Sequence, residues 1–162
     1  MDKKIVVVIM GQNCKKFISV CLESVKAADV IIYCDGGSDD GTHQRIMDTN
    51  EKVIYLYNKY DQNDKGMNGK QRNYYLNHLK ENYPNDWALC LDADEVVDDF
   101  NKIKQFIQEA AIGLYSVRME HFIGDLGHVD ATNPKHYVLN RLFKISEADK
   151  YPEVEHPVLQ GK

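Results

Sequence analysis

Val30-Ile31-Ile32-Tyr33-Cys34-Asp35-Gly36-Gly37-Ser38-Asp39-Asp40-Gly41-Thr42 joins a short apolar run to a segment too polar and glycine-rich for anything but a loop. An apolar run of this length, bounded by turn residues, is the pattern of a strand covered on both faces. The pattern recurs on either side. Lys4 to Met10 is a second such run and breaks at Gly11-Gln12-Asn13. Trp87 to Leu91 is a third and runs straight into Asp92-Ala93-Asp94-Glu95. Val53 to Tyr57 reads as a further strand.

Helical patterns separate these strands. Ile18, Cys21, Leu22 and Val25 recur at the spacing of an amphipathic helix, with Asn13 expected as its N-cap and Asp29 at its end. Thr42 or Asp40 is expected to cap a helix through about Met47. Asn58 to Asn68 is polar and expected to be irregular. Gly69 to Tyr83 reads as a helix with Tyr75, Leu76 and Leu79 facing inward, closed by Pro84. A helix is expected from about Asp99 to Ala110, burying Phe100, Ile103 and Ile107. Leu114 to Phe122 alternates like a strand, Gly124 to Lys135 is loop-like, and His136 to Ile145 reads as the last strand. Strand and helix thus alternate four times. This predicts an α/β fold with a mostly parallel sheet and helices on both faces, formed as a single domain over 1–162.

Bulk composition narrows the function. The 162 residues suffice for one domain with a real core. A net charge of -5 argues against a nucleic-acid partner held through its phosphate backbone. The lysines around Lys59 to Lys70 still allow a local basic patch for a small phosphate ligand. The longest apolar run, Ile5 to Met10, is far short of the about 20 residues of a membrane span. It also lacks the pattern of a signal peptide. The expectation is a cytoplasmic protein, with peripheral contact at the inner face of a membrane left open. Cys14, Cys21, Cys34 and Cys90 form no CxxC pair or zinc spacing and are expected to be reduced, buried, small hydrophobes.

In open α/β sheets, ligands bind outside the carboxyl ends of the strands. If the sheet is parallel, Gly11-Gln12-Asn13, Asp35 to Thr42 and Asp92 to Glu95 share one edge. Carboxylates at i and i+2 across a turn would repel and raise each other's pKa without a counter-charge. A divalent cation, Mg2+ or Mn2+, would supply it, with a ligand diphosphate completing the shell. The competing reading is that Asp92-Ala93-Asp94-Glu95 merely caps the next helix. Asp35 stands where a carboxylate can meet a base or ribose, and Gly36-Gly37 would let a ligand approach the backbone. A glycine-rich turn with self-satisfying Asx bonds is the alternative, and it accounts for Ser38, Asp39, Asp40 and Thr42 better than for Asp35. Lys70-Gln71-Arg72-Asn73 opens a helix, where cations would help to hold a diphosphate or would simply be solvated.

Taken together, Val-Ile-Ile-Tyr-Cys-Asp-Gly-Gly-Ser-Asp-Asp-Gly-Thr, Lys-Gln-Arg-Asn and Leu-Asp-Ala-Asp-Glu resemble the family 2 glycosyltransferases of GT-A fold. They are most similar to a bacterial branch that includes lipopolysaccharide-core glucosyltransferase-like proteins. The likeness covers residue 4 to about 160, with Arg141-Leu142-Phe143 matching an Arg-Leu-Phe of that branch and Val154-Glu155-His156 resembling its Val-His-Glu. The resemblance implies a metal-dependent inverting transfer of a sugar from a nucleoside-diphosphate donor, a UDP-sugar by family, to a hydroxyl of a glycan or lipid-linked glycan. It implies donor binding by Gln12, Asn13, Asp35, Lys70, Arg72, Asp92 and Arg141. Asp94, with Asp92, would hold the metal. Arg141 and His156 would line the reacting side, and Glu155, His156 and Asp94 are the catalytic candidates, with Glu153 and Asp130 as further candidate bases. About 1–98 would form the donor half and about 99–162 a shortened acceptor half. The chain departs from the pattern at Met10-Gly11-Gln12-Asn13, where relatives have Pro-Thr-Tyr-Asn, and at Pro157, where they have glutamate.

Three other functions fit parts of the sequence. A haloacid-dehalogenase-like phosphatase would use Asp92 as nucleophile and Asp94 as acid/base, but that strand normally opens the domain. A non-catalytic nucleotide-sugar-binding module fits the departures. A nucleotidyltransferase would carry its glycine-rich loop directly after the first strand.

Overall fold

The computed structural model describes residues 2–61, 63–120, 137–154 and 157–161, with the backbone alone for 137 and 138. The elements run β1 (Ile5–Gly11), α1 (Ile18–Ser24), β2 (Val30–Asp35), α2 (Thr42–Thr49), β3 (Ile54–Tyr57), α3 (Met67–Asn82), β4 (Trp87–Asp92), α4 (Phe100–Glu109), β5 (Leu114–Met119) and β6 (Tyr137–Lys144). They build one six-stranded sheet in the order β3-β2-β1-β4-β6-β5. β1, β2, β3 and β4 are parallel, whereas β6 runs antiparallel to both β4 and β5. The expected α/β architecture is therefore present, with an antiparallel edge added to the parallel core.

Period-two alternation explains the two cores. Ile5, Val7 and Ile9 point to one face, where α1, α2 and α4 bury Ile18, Cys21, Leu22, Ile46, Phe100 and Ile107. Val6, Val8 and Met10 point to the other, against Tyr75, Leu76 and Leu79 of α3 and Tyr151 and Leu159 of the tail. Both faces of β1 are covered, so its run is apolar throughout. α3 divides along its length. Its first turns bury Gln71 and Arg72, and its later turns bury Tyr75, Leu76 and Leu79. Polar groups carried into the interior need partners there, and Gln71 Oε1 accepts from Asn58 Nδ2 at 2.6 Å.

Several local expectations change. Asn13 does not cap α1: it sits at φ 56, in the left-handed region that Asn tolerates. Its Oδ1 instead accepts from the Asp39 N–H, and a turn through Cys14 precedes the helix. Asp29 lies beyond the end of α1, and its Oδ2 accepts from the Ile5 N–H. Asp40 rather than Thr42 takes up the start of α2, its Oδ1 accepting from the Thr42 N–H at 2.9 Å. α3 begins at Met67, within the stretch expected to be irregular. Asp99 caps α4 as its position suggests, accepting from the Asn101 and Lys102 N–H groups. Cys21, Cys34 and Cys90 are buried and free, but Cys14 is only half-buried. Among the described residues, no helix is long and apolar enough to cross a membrane.

Candidate functional site

The parallel register places the three polar strand ends side by side. Gly11 is level with Asp35, and Met10 is level with both Cys34 and Asp92. The first two loops are then zipped together by their own polar groups. Gln12 Nε2 donates to the Gly37 carbonyl at 3.3 Å, the Asn13 N–H to Ser38 Oγ at 2.9 Å, and the Cys14 N–H to Thr42 Oγ1 at 2.8 Å.

Asp35 is buried at the centre of this arrangement. It accepts from the Gly37 and Ser38 N–H groups at 3.0 and 2.9 Å and from Ser38 Oγ at 2.5 Å. The self-satisfying Asx turn therefore includes Asp35, against the expectation that it needed another partner. Nor does Gly36 stand open. A Cβ there would lie 1.9 Å from Cδ2 of Tyr60, whose ring takes the space that the missing side chain leaves. The Tyr60 N–H is bonded to the Gly36 carbonyl, which holds the ring in place. Gly37 does require glycine, because its φ is 97.

The carboxylates of β4 meet two buried arginines. Arg72 Nη2 lies 2.9 Å from Asp92 Oδ1, and Arg141 Nη2 lies 2.8 Å from Asp92 Oδ2 and 3.1 Å from Glu95 Oε1. Glu95 Oε2 also accepts from the Asp92 N–H at 2.7 Å. The counter-charge expected from a divalent cation is thus supplied to Asp92 and Glu95 by Arg72 and Arg141. Burial raises the pKa of Asp92, but Arg72 and Arg141 outweigh it and hold the carboxyl below its usual range. Burial pushes Glu95 up to about 7, with Arg141 pulling down and the Asp92 charge adding to the rise. Burial opposes the charge on both arginines, yet their pKa values rise, through Tyr75 and Asp92 for Arg72 and through Asp92 for Arg141.

Asp94 differs from its neighbours. It is exposed and has no ion-pair or hydrogen-bond partner among the described residues. It borders a cleft of about 460 Å³ with Met10, Asn68, Arg72, Asp92 and Arg141, and Leu139, Asn140, Tyr151 and Pro157 complete the lining. Among the described residues, no group of three or more His, Cys, Asp or Glu is arranged to hold a metal by itself. A cation could still be held, because magnesium-type sites commonly use one or two carboxylates and take the rest from phosphate and water. Asp94, exposed on the same cleft as Asp92, fits that donor set.

The structure brings Arg72, Asp92, Asp94 and Arg141 to one cleft and ties Gln12, Asn13 and Asp35 into the adjoining loop. It does not bring Lys70 there: that side chain is exposed and pairs with Asp64. Glu155, His156 and Asp130 lie outside the described residues, and Glu153 is exposed on the tail. Asn140, Tyr151 and Pro157 were not anticipated. Asn140 comes in on β6, which pairs with β4, and Tyr151 comes in on the tail that Asn73 holds against α3.

No curated protein sequence matches the chain. Solved structures do. Staphylococcus aureus TarS superposes with a TM-score of 0.66 at 18% identity, covering 93% of this chain and 30% of that one. TarS 1–349 in complex with UDP-GlcNAc gives 0.61 at 19%, covering 88% and 46%. Glucosyl-3-phosphoglycerate synthase from Mycobacterium tuberculosis, in complex with Mn2+, UDP and glucosyl-3-phosphoglycerate, gives 0.50 at 16%, covering 69% and 42%. The chain thus spans less than half the length of each, and the likeness is one of GT-A fold. The sequence profile of Glycosyl transferase family 2 matches residues 6–156. With the parallel sheet, the carboxylates at its strand ends and a profile that takes in nearly every element, the chain belongs to glycosyltransferase family 2.

Proposed function

We propose that the chain binds a nucleoside-diphosphate sugar, UDP-linked by analogy with the ligands of its structural neighbours, and transfers the sugar with inversion to a hydroxyl acceptor. The acceptor would be a glycan or lipid-linked glycan. About 1–98 would serve the donor and about 99–162 the acceptor. The observation that carries this reading is the shared edge of β1, β2 and β4, which sets the Asp35 loop beside a cleft bordered by Asp92 and Asp94.

The residues divide the work. The Gln12–Asn13 and Asp35–Ser38 loops form the nucleoside side. Arg72 and Arg141 fix Asp92 in its ionised form and present a positive field to a diphosphate. Asp94 would hold a divalent cation (Mn2+ or Mg2+). Such an ion supplies Lewis-acid neutralisation of the leaving diphosphate when bound. The acceptor hydroxyl needs a base to take its proton. Glu155 and His156 remain proposed for the reacting side, and Lys70 for the outer approach of the donor.

The test is a thermal-shift panel of nucleoside diphosphates with and without manganese. Stabilisation by UDP that needs both the metal and Asp94 supports the reading. Equal stabilisation of an Asp94→Ala protein would sink the metal role, and no response to any nucleotide would sink the donor.

A further inference from the structure

The side chain of Asn73 makes two reciprocal bonds with one residue of the tail. Its Nδ2 donates to the Tyr151 carbonyl at 2.8 Å, and its Oδ1 accepts from the Tyr151 N–H at 2.8 Å. A carboxamide holds a donor and an acceptor side by side, so Asn can stand in for a strand partner where no strand is present. The fit is close elsewhere too. A Cβ on Gly69 would lie 2.1 Å from the Pro152 carbonyl oxygen, and one on Gly66 would lie 2.9 Å from that of Glu153. The first turns of α3 therefore meet the backbone of 152–153 directly.

The tail is anchored a second time at its base. The Asp149 N–H donates to the Gln160 carbonyl at 2.8 Å, and the Gln160 N–H to the Lys150 carbonyl at 3.0 Å. Between these anchors, Tyr151 and Pro157 both line the cleft that Asp92 and Asp94 border. The Tyr151 ring also packs on the Arg72 guanidinium, 5.8 Å from its centroid. Pro152 has no N–H to offer, so the near arm depends on Tyr151 for its backbone bonds.

We propose that Asn73 is a positioning residue for sugar transfer: by clamping Tyr151 it fixes the tail as a wall of the catalytic cleft. Arg72 and its neighbour Asn73 then act in concert, one orienting Asp92 and the other the wall that faces the same space. This rests on the transferase reading above. The nucleoside side at the Asp35 loop does not touch the clamp, and Arg72 keeps its bond to Asp92 without it, so loss of the clamp affects turnover more than nucleotide affinity.

The experiment compares the wild type with Asn73→Ala, Asn73→Asp and Asn77→Ala, the last on the exposed face one turn along α3. Three quantities are read below the melting temperature: amide exchange over 149–160, UDP affinity, and kcat with KM for donor turnover. In Asn73→Ala, exchange in the tail should rise at least about tenfold. UDP affinity should stay within about twofold, and kcat should fall on the order of ten- to a hundredfold. Asn73→Asp keeps the acceptor but loses the donor and should fall between. Asn77→Ala should match the wild type. Unchanged tail exchange in Asn73→Ala would overturn the clamp. Faster exchange with unchanged kcat would overturn its catalytic part, as would an equal loss of UDP affinity. A wild type with no turnover on any donor would defeat the transferase reading, while the exchange arm would still decide the clamp.

Discussion

Arg141 Nη2 lies 2.8 Å from Asp92 Oδ2, although the two residues sit on strands that run in opposite directions. The antiparallel strand β6 thereby brings a cation into an edge that the parallel strands supply with carboxylates. Asp92 is held from both sides, by Arg141 from β6 and by Arg72 from α3.

Arg141→Ala should lower both stability and turnover. Among the described residues, it leaves Glu95 with no cation and Asp92 with only Arg72. Breaking a buried pair costs about 3–5 kcal/mol, and the partial exposure of Asp92 reduces this to about 1–3 kcal/mol. Arg141→Lys keeps the charge but loses the fork that spans Asp92 and Glu95, so it should recover stability better than turnover. Urea unfolding and donor turnover check the two effects separately. A fully active Arg141→Ala protein would contradict the role given to the pair.

Asp94→Ala should leave the fold intact. The side chain is exposed and unpaired among the described residues, so the change in stability should stay within about 0.5 kcal/mol. Stabilisation by UDP with manganese should vanish. Calorimetric titration of UDP with and without manganese measures it directly.

Gly69→Ala sets two effects against each other. Alanine gains about 1 kcal/mol over glycine inside a helix. Its Cβ would, however, stand 2.1 Å from the Pro152 carbonyl oxygen, a backbone atom that cannot turn aside. Overpacking of this kind typically costs about 1–3 kcal/mol, so the variant should be less stable despite its better helix former. Thermal unfolding decides the sign.

The four thiols should differ in reactivity. Burial pushes Cys21 and Cys34 up to about 12 and raises Cys90 as well. Cys14 is raised too, again chiefly by burial, but it is half-buried. The thiolate is the reacting form, so labelling should quicken as pH rises and should reach Cys14 first. Mass mapping after brief alkylation at pH 8 and pH 9 checks the order. Labelling of Cys34 ahead of Cys14 would contradict the packing of β2.

The sequence by itself determined the strands, their parallel core and the chemistry at their ends. Burial on both faces makes a strand apolar throughout, and a polar residue directly after such a run must fall at the strand's end. Asp35 and Asp92 were therefore legible as sharing one edge of a parallel sheet. Only the tertiary structure decided what those carboxylates touch. Arg72 and Arg141 reach Asp92 from positions 20 and 49 residues along the chain, and Asn73 meets Tyr151 across 78. Tyr60 closes over Gly36 in the same way, through a contact that no local pattern announces. Periodicity records which side of an element is buried, because burial acts on each residue separately. It does not record which distant residue covers it, because that depends on how β6, α3 and the tail are brought together by the fold.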